Sequence, residues 1–242
     1  VKPFAFLTLF LSVLYIENKN IKWGVLALGS ALLSIYAKPS FIITFLPSLA
    51  IFVPIYVVQQ TGLSINGMAT GLAGVSKKYK NEILFLITLS LLSALMLWFQ
   101  YAAVYDDVSD SKIVFDYLGV WSLYTPSITG SILLTYLFPL AVLLLVKLKK
   151  SNAYILVFII NIISVIYFSV LAEEGVRYTH GNFGWSMQIS VQLLFTFSLV
   201  VFVKRYSQLS DWKKYVLSIA LSLHIVSAIY YLINLSLGVS YY

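Results

Sequence analysis

Residues 173–185 set Glu173, Glu174, Gly175, Arg177, Tyr178, His180, Gly181, Asn182, Gly184 and Trp185 between two long apolar runs. These types can do chemistry together. Glu173 and Glu174 can act as a general base, or as metal ligands with His180. Arg177 can clamp a phosphate through two parallel hydrogen bonds. Asn182 can donate to a sugar hydroxyl, and Tyr178 and Trp185 can stack on a sugar ring. The three glycines permit the tight backbone such a site needs. The same residues also suit a polar turn, anchored by Tyr178 and Trp185 at a membrane interface. Glu–Arg pairing in water would then add little.

A second group lies at 105–129. Asp106 and Asp107 follow directly on the apolar run 83–105 that holds Trp98-Phe99-Gln100-Tyr101. Carboxylates placed just above a membrane suit metal binding or deprotonation of an acceptor hydroxyl, and equally a solvated acidic loop. Trp121-Ser122-Leu123-Tyr124-Thr125-Pro126-Ser127 reads as a belt segment re-entering the membrane, with Pro126 near the next helix start. Lys38, before Pro39-Ser40, can hold a lipid phosphate or snorkel to headgroups. His224, inside an apolar run, is either an intramembrane functional group or a neutral imidazole bonded to a neighbouring helix. Gly62-x4-Gly67 has phosphate-loop spacing, but Met68-Ala69 stand where Lys and Ser/Thr are required. That loop is read as structural. No His-Glu-x-x-His motif, nucleophile elbow or dinucleotide fingerprint occurs.

The elements that carry these groups must be membrane helices. Of 242 residues, 60% are hydrophobic and 10% charged, and the mean hydropathy is +0.91. A soluble domain carries about 25% charged residues, so this chain could not cover a water-facing surface. The apolar runs are continuous, without the alternation of a barrel strand. Helices satisfy the backbone in lipid. The expected fold is all-α: one polytopic transmembrane bundle of about eight spans over 1–242. The net charge of +7 is read as loops facing anionic lipid, not as nucleic-acid binding. Zero cysteines exclude disulfides and thiolate metal sites.

The eight apolar segments run over 3–16, 23–37, 40–58, 83–105, 128–146, 153–171, 187–203 and 215–237. The second and third can also be read as one broken hairpin around Lys38-Pro39. Alternate connections hold Lys19, Lys22, Lys77, Lys78, Lys80, Lys147, Lys149, Lys150, Lys204, Arg205, Lys213 and Lys214, twelve of the 16 basic residues. The others hold Lys2, Lys38, Lys112 and Arg177, with Asp106, Asp107, Asp110, Asp116, Glu173 and Glu174. By the positive-inside rule the first set is cytoplasmic. Both ends of the chain then lie outside. The opening Val1-Lys2-Pro3, without methionine, suggests a fragment, and an odd number of upstream spans would fit.

Ala37-Lys38-Pro39-Ser40-Phe41 leading into Phe45-Leu46-Pro47-Ser48-Leu49, the opening Val1-Lys2-Pro3-Phe4-Ala5-Phe6, the block 119–126, and 174–185 with its His180-Gly181-Asn182-Phe183 core resemble segments of bacterial multi-pass envelope proteins. Those proteins are similar to GT-C-type lipid-linked-sugar glycosyltransferases. The resemblance implies sugar transfer from a polyprenyl-phosphate donor on the outer face of the bacterial cytoplasmic (inner) membrane, in envelope polysaccharide assembly. The usual catalytic acid of such enzymes sits in their first outer loop, which would lie upstream of Val1. Within this chain Glu173, Glu174, Asp106 and Asp107 are the candidates for base or metal ligand, a divalent metal being compatible with them. Arg177, His180 and Lys38 would hold the donor phosphate, and Tyr178, Asn182 and Trp185 the sugar. Membrane lipids and the polyprenyl-phosphate sugar are the expected partners, with no nucleic acid. A flippase subunit or a non-catalytic scaffold are the rival readings.

Overall fold

The computed structural model describes residues 2–61, 79–104, 112–146, 152–175, 178 and 181–236. Nine α-helices make up most of the described residues: α1 (Lys2–Asn18), α2 (Ile21–Ala37), α3 (Ser40–Thr61), α4 (Lys80–Phe99), α5 (Gly119–Tyr124), α6 (Ile128–Leu145), α7 (Asn152–Val170), α8 (Asn182–Arg205) and α9 (Asp211–Ser236). A π-turn at Gln100–Val104 extends α4, and a 3-10 turn at Tyr206–Gln208 follows α8. Each of the eight apolar segments lies on its own helix, offset by a few residues at the ends. Pro39 separates α2 from α3, because the residue before a proline is driven out of the helical region. Lys38 is accordingly extended, at φ −172° and ψ 127°.

Among the described residues, five helices are long and apolar enough to cross a membrane: Ser40–Gln59, Lys80–Phe99, Ile128–Leu145, Asn152–Val170 and Asn182–Gln208. The chain is therefore an integral, multi-pass membrane protein with helical spans. Helices α1 and α2 have 17 residues each, about 25 Å of rise, somewhat short of the ~30 Å hydrocarbon core.

The main core forms where α3 packs on α7 and α8, with the α1–α2 hairpin and α4 on the flank. Phe41, Phe45, Leu49 and Phe52 project from one side of α3 into it and are fully or almost fully buried. A second cluster, with Phe138, Val142, Phe202 and Leu217, joins α6, α8 and α9. Outward-facing aliphatics such as Leu91, Leu95, Leu144 and Val203 are exposed, as lipid contact requires.

The ends of the helices sort into two sets. At one end, the Tyr15 hydroxyl donates to the Asn81 carbonyl at 3.1 Å, Lys19 pairs with the buried Glu82, and Asn152 donates to Glu17 at 3.2 Å. Lys213 donates there to the Leu145 carbonyl at 2.8 Å. At the other end, the Gln100 amide donates to the Ile35 carbonyl at 2.8 Å and Ser40 bonds Asn182. These bonds join the α1–α2 turn to the starts of α4 and α7, and the end of α6 to the start of α9. Lys19, Lys22, Lys80, Lys204, Arg205, Lys213 and Lys214 thus share one end and Lys38, Lys112 and Glu173 the other.

The structure adds two short strands to the expected all-α fold. Ile113–Phe115 (β1) and Leu171–Glu173 (β2) form an antiparallel two-stranded ribbon, with Val114 opposite Ala172. Leu171, the last residue of the expected apolar segment 153–171, opens β2. A three-residue strand leaves no alternation to see, and its partner lies almost sixty residues away.

Candidate functional site

The acidic end is organised by the first turn of α8. Its opening N–H groups need acceptors, since a helix start leaves them without intrahelical partners. Glu173 supplies one: its Oε1 accepts the Asn182 N–H at 2.7 Å. A carboxylate at a helix N-terminus is further favoured by the helix dipole. Glu173 is only 7% exposed because the ribbon holds it there; the Glu174 N–H donates to the Lys112 carbonyl at 2.8 Å. Glu174 itself is exposed. Adjacent acids therefore have unlike surroundings, one capping a helix and the other facing outward.

Asn182 and Ser186 stitch α8 to α3. The Ser40 hydroxyl donates to Asn182 Oδ1 at 2.8 Å. The Ser186 hydroxyl lies against the Ser40 carbonyl and, at 2.8 Å, the Asn182 carbonyl. The same turn places the Lys38 ammonium 4.4 Å from the centroid of the Trp185 ring. A cation over an indole face is attracted by the ring quadrupole.

Beyond Trp185 lies a cavity of about 430 Å³ between α5, α6, α7 and α8, within the range of small-ligand pockets. Trp121, Tyr124, Phe168 and Trp185 form its aromatic walls. Trp121 and Phe168 pack at 5.2 Å between centroids. The polar contribution comes as two pairs, Ser131 with Thr135 on α6 and Gln188 with Gln192 on α8. Residues four apart share one helical face, so each pair is a short polar strip facing the other. None of the described lining residues is charged. Amides, hydroxyls and aromatic faces suit a neutral, hydroxyl-rich group.

Above the cavity, the ribbon brings Asp116 and Tyr178 together, and the Tyr178 hydroxyl donates to Asp116 Oδ2. That bond holds the phenol above its ordinary value of 10.0. Asp116 also lies over Gly119, where an added β-carbon would collide with its carboxylate; this is a close approach that glycine permits. Leu118, at φ 58°, turns the chain into α5.

The predicted residues thus divide. Lys38, Glu173, Asn182 and Trp185 come together around the start of α8. Tyr178 is tied to them through the ribbon. Asp106, Asp107, Arg177 and His180 lie outside the described residues. Among the described residues no group of three His, Asp or Glu could hold a metal ion. His224 accords with the bonded alternative: its Nδ1 is 3.2 Å from the Leu134 carbonyl and its ring stacks on Phe195 at 4.4 Å. A carbonyl only accepts, so Nδ1 carries the proton.

Sequence reasoning missed Ser131, Thr135, Gln188, Gln192 and Asp116's bond to Tyr178. A visible hint existed in the two glutamines, amides four apart within an apolar span. No protein-family model matches the chain, and no curated protein or solved structure matches it significantly.

Proposed function

We propose that this protein is a glycosyltransferase-like component of cell-envelope polysaccharide assembly, acting on polyprenyl-phosphate-linked sugar at the extracytoplasmic face of the bacterial inner membrane. In this reading eight helices span, α1, α2 and α9 included, and the basic end is cytoplasmic. One observation carries it: a lysine ammonium over Trp185, whose ring borders a cavity with a described lining of amides, hydroxyls and aromatic walls and no charge. A phosphate beside a neutral sugar has that same division of charge. Lys38 would meet the phosphate, where a hydrogen bond to a charged group contributes about 1.5–3 kcal/mol. Gln188, Gln192, Ser131 and Thr135 would meet sugar hydroxyls, with Arg177 and His180 joining Lys38. Glu174 and the Asp106–Asp107 pair are the candidate bases, while Glu173 supports the fold of the site.

A flippase subunit is the second reading, and one feature favours it. Gln188, Gln192 and Thr196 are all exposed at four-residue spacing on α8, a polar strip leading down from the cavity. Polar groups at such depth mark pathways. Labelled polyprenyl-phosphate sugar in vesicles containing the purified protein tests both. Labelled glycan product supports the transferase; label crossing leaflets without transfer supports the flippase and overturns the transferase. Neither event overturns both.

A further inference from the structure

The opposite, basic end carries a second cavity that the outer-face reading does not use. It measures about 490 Å³ and is walled by Leu145 and Val146 at the end of α6, and by Arg205, Gln208, Leu209, Ser210 and Lys213 between α8 and α9. We propose that this cleft binds the phosphate of an anionic membrane phospholipid.

Three observations converge on that ligand. First, the donors suit a phosphate. Arg205 has five N–H groups in a planar fork, of which Nη1 donates to Gln208 Oε1 at 2.6 Å. Lys213 has three donors, one of them on the Leu145 carbonyl at 2.8 Å. That carbonyl ends α6, so the helix terminus fixes the ammonium at the cleft wall. Ser210 and Gln208 add neutral polar groups.

Second, the local charge is strongly positive. Lys204, Arg205, Lys213 and Lys214 surround the turn, and Val146 is followed in sequence by Lys147, Lys149 and Lys150. The acid of the turn, Asp211, pairs with Lys214 at 2.9 Å. Basic pockets between membrane helices attract anionic headgroups.

Third, the cleft lies at headgroup depth. Tyr206, Trp212 and Tyr215 are 46%, 56% and 71% exposed around it, and such rings gather at the membrane–water boundary. Leu145, Val146 and Leu209 give the apolar side that a glycerol and its first acyl carbons would contact. A lipid meets both chemistries of the cleft, whereas free phosphate meets one.

The experiment must separate a site from general attraction. Lys204 and Arg205 are neighbours of equal charge, but only Arg205 lines the cleft. Native mass spectrometry of the full chain, supplied with phosphatidylglycerol or phosphatidylcholine, counts the retained lipid. Phosphatidylglycerol should be retained in preference, and Arg205→Gln should lower its affinity about tenfold, equivalent to about 1.4 kcal/mol. Lys204→Gln should leave retention unchanged. Arg205→Lys, which keeps the charge but loses the fork, should fall between wild type and Arg205→Gln. Equal losses from Arg205→Gln and Lys204→Gln would overturn the site, as would equal retention of the two lipids. Displacement of the lipid by millimolar inorganic phosphate would overturn the lipid assignment. Sugar transfer plays no part in this readout, so the two proposals stand or fall separately.

Discussion

Glu173 and Asn182 are nine residues apart, yet the carboxylate of the first caps the backbone of the second at 2.7 Å. The bond ties β2 to the first turn of α8, the turn that carries Trp185. Glu173→Ala removes the acceptor and should destabilise the protein by about 1 kcal/mol, the usual effect of losing a helix cap. Glu173→Gln keeps an oxygen at the site and should lose less. Thermal melts of both variants check this. A glutamine variant of wild-type stability with no transfer activity would instead make Glu173 the base.

The Lys19–Glu82 pair should respond asymmetrically. Glu82 is 2% exposed, whereas the Lys19 side chain is 42% exposed and can turn to water. Burial pushes the Lys19 ammonium below its ordinary value, while the Tyr56 and Tyr79 rings lie 5.0 and 5.9 Å away. Lys19→Met strands a buried carboxylate and should destabilise by about 3 kcal/mol. Glu82→Gln leaves a neutral group and should lose about 1 kcal/mol. Denaturant unfolding of the two variants is the check; equal losses would contradict the asymmetry.

Tyr178 and Asp116 give an alkaline signature. The folded phenol keeps its proton above pH 10.0, held first by its bond to Asp116. A raised folded value means the contribution is complete below the unfolded value and disappears as pH rises through the folded one. Tyr178→Phe should therefore narrow the fall in melting temperature between pH 9 and 12. Gly119→Ala, by displacing Asp116, should produce the same change. An unaltered pH dependence in both would remove the role given to this bond.

The helices were legible because lipid demands long apolar runs, and this chain interrupts them with charge or proline. Pro39 marked the α2–α3 break, and the lysines at 19, 22 and 80 marked one end of the bundle. The ribbon was not legible: Ile113–Phe115 has no pattern of its own and exists because Leu171–Glu173 reaches it. Trp185, Lys38 and Asn182 could be named as candidates from residue type. Their convergence could not, since it depends on α3 and α8 starting side by side. The cavity's polar lining was hidden for a different reason. Ser131 and Thr135 are common in membrane helices, and nothing local shows that they face Gln188 and Gln192.

Lys38 and Trp185 should have separable effects. Lys38 and Trp185 are both half-buried, where a cation–π contact contributes about 1 kcal/mol, so loss of that contact in Lys38→Gln should lower the melting temperature only modestly. Its effect on a phosphate should be larger, about tenfold in affinity for polyprenyl phosphate. Trp185→Leu removes a cavity wall and should weaken the sugar-bearing lipid more than the bare polyprenyl phosphate. Paired binding isotherms for the two lipids measure this; identical losses for both would contradict the division between phosphate and sugar.

The most direct measurement compares wild type with Gln188→Leu/Gln192→Leu for binding of labelled polyprenyl-phosphate sugar in nanodiscs. Loss of affinity for the sugar-bearing lipid by about tenfold or more, with bare polyprenyl phosphate bound as before, is the result predicted by a sugar seated between α6 and α8. Equal affinity of the double variant and the wild type for the sugar-bearing lipid would contradict it.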